Sequence, residues 1–532
     1  MVRADTPPPK LPFEILRRVI DFHLSLPPSA SIDPDDWDNL AGQRGRQLVA
    51  ERIEMQKKVR REVVCAMSVC RAWKTVAQKY LYTEPHLSSN LDVFASCLVR
   101  GDKKWTDLHS SPFSLPGRYL AVLDLSDPAL NSTLHYSTIS SILVAIFPLV
   151  PNLTHLKLPN GPIPFPLVDL QTSPFISKLR VLEGLQVVHQ VSRDGKDPLV
   201  EILRHAPALQ FLSVYGGGHA HLGLSETDFP QDALNLPSLH TLVIDGVIDG
   251  LLIETLIKSH LPRLAKLAIT SYHLFPSDQT LRLQQTHGAA LRSLTYLNPR
   301  DWPALQVTPS SRTLDLHPAL RHLSFLGHHA MFPINIILGA RINNHPLEQI
   351  TLSRFTWRNR TSENEENRLL ECICKTPPPG LRRLRIDGFR WVKNMSKAAM
   401  ETGHLGAMRK WEGRLRAKGI EMMDSEGRRL ENEGGREERT RRAEMGCIAG
   451  RELYLVAKRY CDSECDNEPV LSIPIHRFSI ATQLSSPDPS ILLSSSALAS
   501  PSPLTAVLII SDPEFAALSS ARLDSNTFRS VS

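Results

Sequence analysis

The most regular pattern in this chain is a short leucine motif that recurs between residues 120 and 386. Six clear copies have the form LxxLxL, in which the last position is leucine, valine, isoleucine or phenylalanine: Leu153–Leu158, Leu209–Val214, Leu239–Ile244, Leu264–Ile269, Leu320–Phe325 and Leu381–Ile386. Further copies begin at Leu120, Leu179, Leu291 and Leu347. Ten copies span nine intervals, so the mean period is 261/9 = 29 residues, which is the period of a repeat array rather than of one globular core.

Each motif copy predicts a short strand whose leucines point into a core while the x positions point outward. The segments between copies have apolar residues at helical spacing and predict helices that return the chain to the next strand. The clearest of these are Ser137–Leu149, Pro198–His205, Leu251–His260, Ile334–Asn343 and Glu365–Lys375. We therefore predict an α/β solenoid over residues 115–392, a curved array of about ten degenerate leucine-rich repeats with parallel strands on its concave side.

Charged x positions of the motif are mostly basic. Eight are basic and three acidic: Lys157, Arg180, Lys266, Arg292, Arg321, Arg382, Arg383 and Arg385 against Asp124, Glu183 and Glu348. One interpretation is that scattered arginines simply solvate a sheet face. The other is that the concave surface binds an acidic or phosphorylated segment, because guanidinium groups pair bidentately with carboxylate and phosphate. The candidate substrate-binding residues are then Lys266, Arg292, Arg321, Arg382, Arg383 and Arg385.

The region before the array predicts two amphipathic helices. The first begins near Leu11 and carries Ile15, Leu16 and Ile20 on one face, and the second runs from about Val63 to Leu81. Apolar residues recur every three or four positions in both, as a helix packed on one side requires. On the residues alone, these helices could form the core of a small helical hairpin.

Leu11-Pro12-Phe13-Glu14-Ile15-Leu16 and Val69-Cys70-Arg71-Ala72-Trp73 resemble the LPxEIL-type opening and the LVCRxW-type close of an F-box. The match defines a helical module over residues 9–90, with an insertion at about 25–62 where the family usually has a short connection. The resemblance implies docking onto the Skp adaptor, and through it onto a cullin scaffold. The adaptor-binding residues would be Leu11, Pro12, Ile15, Leu16, Ile20, Val69, Cys70 and Trp73.

Together, an F-box-like module and a leucine-rich array predict the non-catalytic substrate receptor of a Skp-cullin-F-box ubiquitin ligase, with a protein substrate bound by the array. The alternative is a leucine-rich scaffold that has no link to ubiquitin and whose N-terminal helices only cap the repeats. Neither interpretation requires an enzyme, and the chain contains no GxxxxGK[ST], HExxH or GxSxG motif.

Composition limits the partners, ligands and location that we expect for the chain. The net charge of +6 is too diffuse to indicate a nucleic-acid partner, and the eight cysteines lack the spacing of a zinc site. We expect no cofactor, no metal, no membrane span and an intracellular location, cytoplasmic or nuclear. Beyond the array, residues 393–468 predict a charged helical segment, in which Leu453, Tyr454, Val456 and Ala457 would cap the last repeat. Serine and proline dominate residues 469–532, which predicts a disordered tail.

Overall fold

A computed structural model describes just under half of the chain. It describes residues 54, 57–68, 71–85, 87, 90–107, 116–127, 130, 135–158, 167–187, 197–216, 233–246, 250–270, 279–297, 312–326, 336–337, 345–353, 360–391 and 403–429. All of them lie within Met1–Asp466, the first of two units into which the chain divides. The predicted first helix and the Ser/Pro-rich tail lie outside the described residues.

Eleven strands form one parallel sheet whose order follows the order of the chain. They are β1 (Val122–Asp124), β2 (His155–Lys157), β3 (Val181–Val187), β4 (Phe211–Gly216), β5 (Thr241–Asp245), β6 (Lys266–Thr270), β7 (Ser293–Leu297), β8 (His322–Leu326), β9 (Gln349–Ser353), β10 (Arg383–Asp387) and β11 (Glu421–Met423). Each of the first ten begins two residues after the first leucine of a motif copy. The prediction of consecutive parallel strands is confirmed, and the order is consistent with a solenoid.

The motif leucines form the core, as the pattern predicts. In the copy that contains β4, Leu209, Leu212 and Val214 are all fully buried. The equivalent residues of the other copies join them in one continuous hydrophobic cluster, which extends from the first repeat to the last. Each buried aliphatic side chain contributes about 1.5–3 kcal/mol of transfer free energy, so the stability of the array is distributed along it.

Helices return the chain between strands and pack their apolar side into the same cluster. Before the sheet lie α1 (57–68), α2 (Arg71–Thr83) and α3 (Leu91–Asp107). Within it lie α4 (Tyr136–Ile146), α5 (Leu167–Gln171), α6 (Pro198–Arg204), α7 (Gly250–Lys258), α8 (Gln279–His287), α9 (Thr313–Leu316), α10 (Arg360–Lys375) and α11 (Gly403–Arg416). Short 3₁₀ turns lie at Pro116–Tyr119, Phe147–Leu149, Ile176–Lys178 and Gly288–Ala290.

Local sequence explains where these helices start. In α6, Pro198 occupies the first helical position, where its missing N–H has no helical partner to lose. The Asp197 carboxylate accepts a hydrogen bond from the Leu199 N–H at 2.8 Å and so caps the helix. Of the predicted helix Ile334–Asn343, the structure describes only Ile336 and Ile337, which are helical and buried.

A bulge interrupts the sheet at β3. Leu182 pairs with Leu212, but Leu185 pairs with Val214, so β3 holds one residue more than β4 between these points. Gly184 supplies the bulge with a φ of +79°, and a Cβ atom at this residue would lie 2.6 Å from the carbonyl oxygen of Leu158. Only glycine fits both requirements.

The N-terminal end of the array is closed by α3 and the end of α2. Leu91 and Leu98 of α3 are buried in the main cluster, and Tyr82 of α2 packs against it beside Phe94. The Ala121 N–H donates to the Thr83 carbonyl at 3.0 Å and joins α2 to the first repeat. The leucine pattern did not predict α3, because this helix adds no motif copy.

The C-terminal end carries an eleventh strand that the leucine pattern also did not predict. In α11 the Trp411 indole N–H donates to the Asn367 side chain of α10 at 3.0 Å, and Leu415, Ile420 and Met422 enter the main cluster. These residues occupy the position expected of the predicted cap at Leu453–Ala457, which lies outside the described residues.

A tight turn after β11 closes the array around one carboxylate, that of the fully buried Asp424. This carboxylate accepts hydrogen bonds from the backbone N–H groups of Trp391 at 3.2 Å, Glu426 at 2.9 Å and Arg428 at 2.8 Å. Glu426 in turn pairs with Arg390 at 3.1 Å. The turn thereby joins the chain after β10 to the chain after β11.

Candidate protein-binding surface

Adjacent repeats are linked by the backbone at the second residue of each LxxLxL copy, which we name the strand-start position. The Arg292 carbonyl, for example, accepts from the N–H groups of Arg321 at 2.9 Å and His322 at 3.0 Å in the next repeat. The same pair of hydrogen bonds from the next repeat is accepted by the carbonyl groups of nine residues: Ala121, Thr154, Arg180, Gln210, His240, Ala265, Arg292, Arg321 and Glu348. The backbone alone makes this connection, so the side chain at the strand-start position is not needed for it.

Charged side chains occupy the strand-start position in four consecutive repeats, before β7 to β10. They are Arg292, Arg321, Glu348 and Arg382. Arg321 and Glu348 form an ion pair at 3.5 Å, with 58% and 41% of their side chains exposed. Arg292 and Arg382 lie on either side of this pair, and both are exposed.

Arg383, the first residue of β10, is also exposed. We name the group Arg292, Arg321, Arg382 and Arg383 the arginine edge. The two carboxylates next to this group in the sheet, Glu348 and Glu421, are paired with Arg321 at 3.5 Å and with Arg429 at 2.7 Å. Strands in a sheet are spaced about 4.8 Å apart, so β7 and β10, three spacings apart, hold Arg292 and Arg382 about 14 Å from each other.

Two of the six predicted substrate-binding residues are buried instead of exposed. Lys266 on β6 is 7% exposed, and Arg385 on β10 is 3% exposed. The Arg385 guanidinium donates to the Ser425 carbonyl at 2.6 Å in the turn that closes the array. Arg385 therefore stabilises that turn, and neither side chain presents its charge to solvent.

The sheet face opposite the leucine core is also less open than the pattern predicts. Val181, Phe211, Val243 and Ala268 form a second buried cluster there, with Leu297 packed against it. The small polar side chains Thr241, Ser293, Thr295, Ser324 and Thr351 are buried as well. Nearer the N-terminus, Lys157 is paired with Glu183 at 3.2 Å. Among the basic motif positions, four exposed arginines therefore lie where β7, β8 and β10 begin, and a fifth, Arg180, lies before β3.

Against this geometry we set the comparisons with known proteins. No family model matches the chain, and no curated protein matches it either. Evidence for the function of the chain therefore comes from its own residues.

Of the predicted adaptor-binding residues, Trp73 lies in the described part of the chain. This half-buried side chain on α2 packs against a small cluster formed by Val63, Ala66, Val76 and Ala77, which is separate from the main core. The other predicted adaptor-binding residues lie outside the described part of the chain: Leu11, Pro12, Ile15, Leu16, Ile20, Val69 and Cys70.

Three histidine rings bond to backbone carbonyls in the segments before β7, β8 and β9, and two of these bonds join adjacent repeats. The His287 ring donates to the Leu256 carbonyl at 2.9 Å, and the His345 ring donates to the His317 carbonyl at 2.8 Å. His317 bonds through Nδ1 to the Thr313 carbonyl, while its buried Nε2 has no hydrogen-bond partner among the described residues. Burial lowers the pKa of His317 below its usual value, and the neighbouring His345 lowers this pKa further. His317 is therefore neutral near pH 7, and its ring bonds within its own segment.

Groups suited to metal or membrane chemistry were not found in the described residues. No cluster of three or more His, Cys, Asp or Glu side chains could hold a metal ion among them. None of the helices described is both long enough and apolar enough to span a bilayer. What the arginine edge can do chemically is bind anions, since exposed guanidinium groups donate paired hydrogen bonds to carboxylate or phosphate.

Proposed function

We propose that the chain is a non-catalytic substrate receptor of a Skp-cullin-F-box ubiquitin ligase. Its N-terminal helical module would dock the Skp adaptor, and its repeat array would hold the target protein. The observation that carries the proposal is the joint occurrence, in this order, of the F-box-like segments ending at Trp73 and a parallel array that begins at Val122.

The state of Trp73 supports this assignment. An interface anchor needs a large aromatic side chain that is fixed by its own fold yet still offers surface to a partner. Trp73 is packed against the α1–α2 cluster on one side and is only half-buried. This cluster is separate from the array core, so the module can bind an adaptor while the array binds a target.

The function follows from tethering. A receptor that binds the adaptor and the target together raises the effective concentration of target lysines near the transfer site. The covalent chemistry belongs to other subunits, so the receptor needs binding surfaces and no catalytic group.

One structural feature favours the alternative, a leucine-rich scaffold without a link to ubiquitin. α3 and the end of α2 pack directly on the first repeat, with Leu91 and Leu98 buried in the main core. Helices placed in this way cover the exposed end of an array, which is the function of a terminal cap.

Co-precipitation of the full chain with purified Skp adaptor separates the two functions. We expect the intact chain to bind, and Ile15→Asp or Trp73→Ala to abolish binding while the thermal unfolding of the array is retained. The control is Val93→Asp, because Val93 is 56% exposed on α3 and lies outside both motif segments. If the intact chain fails to bind the adaptor, the scaffold is the correct assignment.

A further inference from the structure

The arginine edge has two separate points of positive charge. Arg292 stands at one end on the approach to β7, and Arg382 with Arg383 stands at the other on β10. Between them the Glu348 carboxylate pairs with Arg321 at 3.5 Å. A second carboxylate, Glu421, is next to Arg383 in the sheet register but pairs with Arg429 at 2.7 Å. The edge therefore offers anion-binding groups at its two ends and a nearly neutral centre.

We propose that this edge binds an extended acidic segment of another protein, with two anionic side chains spaced about four residues apart. An extended chain advances about 3.4 Å per residue, so four residues cover the distance of about 14 Å between Arg292 and Arg382. One anion contacts Arg292 and the other contacts Arg382 and Arg383. The proposal names the substrate class of the receptor and in that sense rests on the proposed function.

The charge arrangement favours a peptide over a nucleic acid. A nucleic-acid strand carries a phosphate at every nucleotide, so part of its backbone would lie against the Glu348 carboxylate. Single-strand sites also present aromatic side chains for base stacking, whereas the described residues at the strand-start positions of β7 to β10 are three arginines and a glutamate. A peptide with anions only at its two ends avoids both conflicts.

The edge is also suited to binding because its side chains are not part of the fold. The strand-start backbone makes the links between repeats, and Arg292, Arg382 and Arg383 are exposed. Replacing them should change binding without unfolding the array. Arg180 provides a matched control, because it is an exposed arginine at the same motif position before β3, four strands from β7.

The test is fluorescence anisotropy with the full chain and short labelled peptides that carry two phosphoserines, or two glutamates, four residues apart. We expect Arg292→Gln to weaken binding about tenfold and Arg382→Gln with Arg383→Gln to weaken it at least as much, as for lost charge-assisted hydrogen bonds. Arg180→Gln should leave affinity unchanged. The same anions placed two residues apart should bind about tenfold more weakly, and comparing the two peptide types shows whether phosphate or carboxylate is preferred.

Three results would overturn the proposal: no dependence on anion spacing, an equal loss with Arg180→Gln, or tighter binding of a single-stranded RNA of the same charge. Adaptor binding is measured separately. If the chain discriminates peptide spacing but does not bind the adaptor, the peptide site stands and the ubiquitin function is wrong. If the chain binds the adaptor but does not discriminate peptide spacing, only the peptide site is wrong.

Discussion

Replacing Asp424 should detach the C-terminal end of the array while leaving the rest of it intact. Its fully buried carboxylate accepts three backbone hydrogen bonds, from Trp391, Glu426 and Arg428. Asp424→Ala leaves three N–H groups without this acceptor, and each group that stays buried costs about 1–3 kcal/mol. The turn and β11 can relieve this cost by opening to water, so we expect local stability to fall by about 3 kcal/mol.

Asp424→Asn is the matched variant, because it keeps the shape of the side chain. Its amide oxygen can replace Oδ1 and accept from Glu426 and Arg428, whereas its NH₂ group would face the Trp391 N–H, donor against donor. We expect this variant to lose about a third as much stability as Asp424→Ala.

Hydrogen exchange with mass spectrometry measures the effect strand by strand. Protection should fall most in β11 (Glu421–Met423), less in β10 (Arg383–Asp387), and not at all in β5 (Thr241–Asp245). A uniform loss over all strands would show that the turn is part of one cooperative unit, and an unchanged β11 would show that Asp424 does not stabilise it. Either result refutes the reasoning.

Three further predictions concern the array itself. Stability should fall as the pH drops below about 6.5, the pKa of histidine in the unfolded chain. Burial holds the pKa of folded His317 lower, so the unfolded chain binds more protons than the folded chain in this range. Urea titrations at several pH values should show a smaller dependence of stability on pH for His317→Gln than for the unaltered chain. Gly184→Ala should lower the melting temperature, since the φ of Gly184 is +79° and a Cβ atom there would lie 2.6 Å from a carbonyl oxygen. Gly413→Ala should raise the melting temperature slightly, because an added Cβ atom in this helix would have no heavy atom of the described residues within 4 Å. Leu212→Ala should cost about 2–5 kcal/mol in chemical denaturation, because Leu212 is fully buried; a cost under about 1 kcal/mol would contradict the placement of the core.

The sequence predicted the strands of the array well because one repeated contact determines them. A leucine at the first motif position must be buried in each repeat, and Leu120 and Leu381, which begin the first and last copies, each precede a strand by two residues. The leucine pattern did not predict β11, because this strand lacks one of the apolar residues of the motif. Met422 aligns with Leu384 in the register, and the next inward position is Asp424 instead of an apolar residue. The carboxylate is satisfied by backbone N–H groups, a solution that hydrophobic periodicity does not reveal.

The candidate site was predicted only in part, because the motif gives the direction of a side chain and not what covers it. Arg292 and Arg385 both occupy x positions, yet Arg292 is exposed whereas Arg385 is buried, with 3% of its surface exposed, beneath the closing turn. That turn comes from residues 40 positions further along the chain than Arg385. Contacts between such distant residues do not follow from a local repeat.

The backbone connection at the strand-start position has a consequence for how such an array can change during evolution. Alanine at residue 121, glutamine at 210, arginine at 292 and glutamate at 348 all support the same pair of hydrogen bonds. The cost of changing the side chain is therefore small at every one of these positions. Substitutions selected by evolution or introduced by design can therefore change the charge along this edge one repeat at a time. The array can then bind a new partner while its fold stays the same.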